Sequence, residues 1–96
     1  MIPEHLRSTH TLLTRAYPDG VPDADYFAVL ALLYEHLSNR NLAEVVSLAF
    51  RRDRGIAYND VARCVSTDRP APEALSRVQA RLQSVGFEAW SHEEDA

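Results

Sequence analysis

The 96-residue chain contains no lysine, and all ten of its basic side chains are arginines. It has one cysteine, Cys64, and only three glycines. A single cysteine excludes an internal disulfide and a cysteine-based zinc site. With so few glycines the chain has no glycine-rich phosphate-binding loop. Arginine used to the exclusion of lysine is what the codon usage of a GC-rich genome would produce.

Long apolar runs are also missing, so no segment predicts a membrane span. The first residues lack the basic region and apolar core of a signal peptide, and we expect a cytoplasmic protein. A hydrophobic fraction of 46% and a charged fraction of 25% are those of an ordinary globular protein. The length suits one domain with a modest core.

Apolar periodicity and helix-breaking residues predict five short helices, near residues 3–16, 22–37, 38–54, 58–66 and 72–85. The second is apolar nearly all round and should be the central helix of a single compact all-α bundle. Between the first two, Tyr17-Pro18-Asp19-Gly20 has the residue preferences of a type I turn. We assign residues 1–87 to the bundle and expect residues 88–96 to be an acidic, frayed tail.

Several single residues refine this prediction. Ser38 should cap the third helix, and Gly55 should terminate it. Ile56 should anchor the entry to the fourth helix, and Cys64 should be a buried structural thiol.

Two stretches of the chain carry a family pattern. The first is Tyr17-Pro18-Asp19-Gly20-Val21-Pro22 followed by Asp25-Tyr26; the second comprises Pro72-Glu73, Arg77-Val78, Ala80-Arg81-Leu82 and Gly86. Their order resembles the small actinobacterial family called domain of unknown function 3349, over roughly residues 6–87. The chain departs from that pattern at Asn41, at Ala71 and at residues 86–88. The resemblance implies a monomeric five-helix bundle and supplies no activity, cofactor, partner or functional residue.

No residue pattern indicates an enzyme. His5 and His10 are five residues apart, which does not match the i, i+4 spacing of a helical metal site. His92 lies among acidic residues, a cluster better interpreted as a solvated tail. No serine lies in a nucleophile-elbow context. We therefore expect no catalytic, cofactor-binding or metal-binding residue.

Two non-enzymatic functions remain open. The first is a protein–protein interaction module, for which aromatic and arginine side chains are the usual anchors; Trp90 is its most exposed candidate. The alternative is weak nucleic-acid binding by an arginine-rich surface of residues 51–81, a range that contains seven arginines and four acidic residues. The net charge of −4 for the whole chain disfavours nucleic acid as a partner. The candidate interaction residues are Arg63, Arg77, Arg81 and Trp90.

Overall fold

The computed structural model describes residues 2–95, with the side chains of residues 2–92. These residues form a 3-10 turn, Glu4–Leu6, and six α-helices: α1 Arg7–Ala16, α2 Asp23–Tyr34, α3 Asn39–Phe50, α4 Arg54–Ser66, α5 Pro72–Gln83 and α6 Phe87–Asp95. No strand occurs in the part of the chain so described. The radius of gyration of 12.1 Å is that of a compact domain of this length. The predicted compact all-α class is confirmed, with one helix more than predicted.

The predicted turn between α1 and α2 is present. The Gly20 N–H donates to the Tyr17 carbonyl at 3.1 Å, and Gly20 has a φ of 96°, which favours glycine. The turn delivers α2 into the core, where Leu30 and Leu33 are fully buried. Helix α2 packs against α3, α4 and α5, and these contacts cover most of its apolar surface.

The boundary between α3 and α4 differs from the prediction. Helix α3 ends at Phe50, and Arg51 adopts the left-handed conformation with φ 55°. Helix α4 begins at Arg54, because the Asp53 side chain accepts a hydrogen bond from the Ile56 N–H at 3.0 Å. Gly55 therefore lies in the first turn of α4 and terminates nothing. Ile56 is 60% exposed, so its predicted anchoring role is wrong.

The predicted frayed tail is replaced by a helix up to Asp95. Helix α6 follows Gly86, whose φ of 99° redirects the chain, and the Trp90 N–H donates to the Gly86 carbonyl at 3.0 Å. Trp90 is only 3% exposed. The helix packs on α1 and α5, so burial of its aromatic residues offsets the entropy of ordering this polar segment. The side chains of residues 93–96, which carry most of the predicted tail's charge, lie outside the described part.

Candidate functional site

Arg77, a candidate interaction residue, is bound to a buried carboxylate. Its Nε and Nη2 atoms donate to Asp25 Oδ1 at 3.0 and 2.6 Å. The other carboxylate oxygen of Asp25 accepts from the Tyr17 hydroxyl at 3.1 Å. The Asp25 side chain is 9% exposed and that of Arg77 is 53% exposed. Since a buried carboxylate requires compensation, Arg77 neutralises Asp25 and thereby ties α5 to the start of α2.

The same network holds Tyr17 in its protonated form. Burial of the phenol, reinforced by the neighbouring Asp25 carboxylate, raises the pKa of Tyr17 from 10.0 to about 12. The hydroxyl is a donor to Asp25, so its ionisation would place two negative charges side by side. Tyr17 is consequently a structural hydrogen-bond donor rather than a candidate general base near neutral pH.

Arg81, one turn further along α5, is also held by the turn region. Its Nε donates to the Ala16 carbonyl at 2.5 Å, which satisfies a carbonyl at the end of α1. Its guanidinium carbon lies 4.5 Å from the centre of the Tyr17 ring, within cation–π range. Arg81 thus fastens α5 to the end of α1.

Arg63 belongs to a second network, centred on α4. It donates through Nε to Asp68 Oδ2 at 2.7 Å, and its Nη1 lies 3.6 Å from Asp60 Oδ1. Asp60 in turn accepts from the Tyr26 hydroxyl at 3.0 Å, and Arg52 covers the Tyr26 ring at 3.9 Å. Burial, followed by the hydrogen bond to Asp60, raises the pKa of Tyr26 well above its ordinary value.

Trp90 does not form a surface anchor. Its Nε1 donates to the Thr9 hydroxyl at 2.9 Å, and its ring stacks on Phe87 at a centroid distance of 5.6 Å. The His36 ring meets the indole edge-on at 5.3 Å. The prediction of a mobile, exposed tryptophan is wrong, because the indole N–H finds a buried partner on α1.

An open groove of about 670 Å³ lies between α2, α4 and α5. The groove is lined by apolar and aromatic residues together with two charged ones, Glu35 and Arg69. The full lining is Ala31, Tyr34, Glu35, Cys64, Val65, Arg69, Pro70 and Leu75. The Cys64 thiol contacts the Phe27 carbonyl at 3.5 Å and is buried, as predicted. Burial raises the pKa of Cys64, so this thiol lacks the lowered pKa of a reactive one.

A smaller pocket of about 330 Å³ lies where the starts of α3 and α4 converge. Arg40 and Ala43 line it from α3, and Arg54, Gly55 and Tyr58 line it from α4. Within the described residues, no carboxylate comes within 4.0 Å of either guanidinium. Among the residues that the structure describes, their guanidinium groups have no ion-pair or hydrogen-bond partner, unlike those of Arg63, Arg77 and Arg81.

The described residues contain no group of three or more histidine, cysteine, aspartate or glutamate side chains able to hold a metal ion. The possible cluster around His92 depends on side chains beyond residue 92 and lies outside the described part. Among the helices described, none is both long and apolar enough to cross a membrane.

Comparison with known protein families identifies the family of this chain. The family model described as "Protein of unknown function (DUF3349)" matches residues 4–91. The chain belongs to the DUF3349 family. No match was found among curated proteins or among solved structures. Membership in DUF3349 brings no assigned activity to these residues.

The structure explains why the two stretches resembling DUF3349 occur together. Tyr17 and Asp25 come from the first stretch, and Arg77 and Arg81 from the second. These four side chains contact one another across the ends of α1, α2 and α5. In this DUF3349 domain, the recognisable residues therefore form a structural brace.

Two features of this DUF3349 domain escaped the sequence prediction. The groove could not be predicted because the helical spacing of Val65 and Leu75 is that of buried residues, whereas the structure leaves both partly exposed. The convergence of Arg40 and Arg54 could be predicted only if α4 was known to begin at Arg54. The available signal was Asp53, which stands three residues before Ile56 as a helix cap should.

Proposed function

We propose that this domain is a non-enzymatic protein-interaction module that takes an apolar peptide segment of a partner protein into the groove between α2, α4 and α5. The groove itself carries the proposal. Tyr34 on its wall is 37% exposed, and Val65 and Leu75 present further apolar surface. Covering such side chains stabilises a complex by about 25 cal/mol for each Å² of apolar surface removed from water.

Charge on the rim defines the chemistry of the segment. Arg69 and Glu35 are both exposed, and both line the groove. In the described part of the chain neither has an oppositely charged side chain within 4.0 Å. A segment with an acidic residue opposite Arg69 and a basic residue opposite Glu35 would complement both charges. We therefore propose a partner segment with apolar residues between an acidic and a basic one.

Selection from a random peptide library on the immobilised domain tests this function. The expected consensus is a short apolar core with an acidic residue on one side. Arg69→Glu should reverse that preference toward a basic residue, because it replaces the rim cation without touching the core. Selected peptides without a charge preference, or a preference that Arg69→Glu leaves unchanged, would contradict the proposal.

A matched pair of variants locates the site. Leu75→Asp should weaken the selected peptide at least about tenfold, since it places a charge on the apolar groove wall. Leu48→Asp on α3 is the control, because Leu48 is also partly exposed, at 37%, and does not line the groove. Equal loss of binding in both variants would mean that the groove is not the docking surface. Circular dichroism confirms that each variant is folded.

Weak nucleic-acid binding through the arginines of residues 51–81 has less support. Arg63, Arg77 and Arg81 are each held by a carboxylate or carbonyl of the domain, which leaves fewer donors for phosphate. Titration with random duplex at low salt distinguishes the two functions, because low salt strengthens phosphate contacts. Affinity tighter than about 1 mM that falls when Arg63 and Arg77 are replaced would favour the nucleic-acid function instead.

We further propose that the domain works as a monomer in the cytoplasm of an actinobacterium, without a cofactor. The resemblance described above supports the monomer and the source, and the arginine-only basic composition agrees with a GC-rich genome. Burial of Trp90 by α1 and α6 removes one large apolar side chain from any subunit interface. A mass above that of one chain in light scattering at micromolar concentration would contradict the monomer.

A further inference from the structure

We infer that the pocket formed by Arg40, Arg54 and Tyr58 binds the phosphate group of a small phosphorylated solute. The pocket is separate from the groove between α2, α4 and α5, and the two share no lining residue. The inference therefore goes beyond the proposed docking function, and either can fail without the other.

The first argument is the state of the two arginines. Whereas Arg77 is paired with Asp25 at 2.6 Å, Arg40 and Arg54 are exposed arginines that line one pocket. Within the described residues neither lies within 4.0 Å of a carboxylate. Two guanidinium groups lining one pocket repel each other. An anion bound between them would relieve that repulsion.

The second argument is where these arginines stand on their helices. Arg40 lies in the first turn of α3, and Arg54 is the first residue of α4. A cation at a helix N-terminus is disfavoured by the helix dipole. Helices α2 and α5 follow the usual rule with acidic residues in their first turns, whereas α1, α3 and α4 have none there. A shared departure from a local rule, converging on one pocket, is typical of a functional site.

The nearest acidic residue in sequence offsets only part of the charge of the two arginines. Asp53 precedes Arg54, and its Oδ1 caps α4 by accepting from the Ile56 N–H at 3.0 Å. Asp53 is also not among the residues that line the pocket. The local surface thus keeps a positive character in a chain whose net charge is −4.

The third argument is the fit between these groups and phosphate. Guanidinium groups present parallel N–H donors that match two phosphate oxygens. Tyr58, 49% exposed, adds a hydroxyl donor. A volume of about 330 Å³ accommodates a phosphate group together with a small substituent.

Titration of the ¹⁵N-labelled domain with inorganic phosphate at constant ionic strength tests the inference. We expect saturable shifts of the Gly55 and Tyr58 amide signals, with a dissociation constant on the order of 1 mM. A sugar phosphate and free phosphoserine, titrated separately, show whether the site prefers a carbohydrate or an amino-acid substituent. Shifts spread over the whole surface, or no saturation by about 50 mM phosphate, would overturn the inference.

Variants distinguish a site from general charge attraction. Arg40→Gln and Arg54→Gln should each weaken phosphate at least about tenfold, because each removes a charged donor pair. Arg7→Gln is the matched control: Arg7 is an exposed arginine at the start of α1 and does not line the pocket. Equal weakening in all three variants would overturn the inference. Because all three positions are exposed, the variants should remain folded.

Discussion

Two sets of arginines in this domain have similar exposure and opposite roles. Arg63, Arg77 and Arg81 surround the tyrosine–aspartate pairs at the ends of α1, α2 and α4. Arg40 and Arg54 line a pocket between α3 and α4 and, in the described part of the chain, have no such partner. Arginine content alone therefore does not indicate a phosphate-binding surface. The location of buried carboxylates decides which arginines remain available.

The reason for the contrast lies in the cost of burying charge. Asp25 and Asp60 are each only 7% exposed, and each accepts a tyrosine hydroxyl. A hydroxyl satisfies one oxygen but does not neutralise the charge, so an arginine is drawn to each carboxylate. The first turns of α3 and α4 contain no acidic residue, and no comparable demand holds Arg40 or Arg54.

The comparison of the two arginine sets assumes that α2, the helix that Arg77 binds through Asp25, is central to stability. Leu33→Ala should lower the free energy of unfolding by about 2–5 kcal/mol, because it opens a cavity at a fully buried position. Urea denaturation measures the change. Leu48→Ala on α3 is the control and should change stability by less than about 1 kcal/mol, since Leu48 is partly exposed. Similar effects of the two substitutions would show that α2 is not the central helix.

The next largest effect should separate the two arginine sets directly. Arg77→Ala leaves the buried Asp25 carboxylate with only the Tyr17 hydroxyl, at a cost of about 2–3 kcal/mol. The half-exposed Arg77 side chain keeps this below the cost of breaking a fully buried pair. Arg54→Ala should change stability by less than about 0.5 kcal/mol. If denaturant unfolding showed the same loss of stability for Arg77→Ala and Arg54→Ala, the two arginine sets would not differ in their structural role.

Alkaline pH should lower the free energy of unfolding through ionisation of Tyr17. The pKa of Tyr17 is about 12 in the folded chain and 10.0 for the ordinary side chain. Stability from this group is fully present below pH 10 and is lost as pH rises toward 12, because the unfolded state releases the proton first. The slope from this residue should approach about 1.4 kcal/mol per pH unit.

Denaturant unfolding across that pH range, compared between the parent chain and Tyr17→Phe, measures the contribution of Tyr17. The variant should be less stable at neutral pH, because it loses the hydrogen bond to Asp25. It should also decline less steeply above pH 10. Some slope should remain, since the pKa of Tyr26 is raised as well. Identical slopes would show that the Tyr17 hydroxyl is not buried against Asp25.

The smallest effect concerns Arg81. Arg81→Ala removes the hydrogen bond to the Ala16 carbonyl and the cation–π contact with Tyr17, which together contribute about 1 kcal/mol. Thermal unfolding should detect it, with Arg40→Ala as an exposed arginine control that does not lower the midpoint. A midpoint of Arg81→Ala equal to that of the parent would place Arg81 with the unpaired set.

Local patterns predicted most of the helices. The turn closed by Gly20, the Ser38 cap on the Asn41 N–H at 3.1 Å and the burial of Cys64 all follow from residues close in sequence. The start of α4 was missed because two local rules competed. Gly55 suggested a helix end, but Asp53 caps a helix that begins at Arg54.

The hydrogen-bond partners of Trp90 and of the candidate arginines were missed for a different reason. The hydrogen bond from Trp90 to Thr9 spans 81 positions, and the Arg77–Asp25 pair spans 52. A hydrophobic period or a cap reports on neighbours within a few residues. It carries no information on which distant polar group will lie beside a given side chain.

Residues close together in the sequence are enough to predict that this chain forms short helices joined by a proline–glycine turn, with an apolar second helix that must be buried. Spacing, caps and turn preferences act within a few residues, so these features can be recognised without a fold. Tertiary structure alone decided that α6 covers Trp90 and that Arg77 and Arg81 brace the bundle. It also decided that Arg40 and Arg54 stay available at its surface. Those outcomes depend on which buried polar groups the packing brings together, because each such group must find a partner once water is removed.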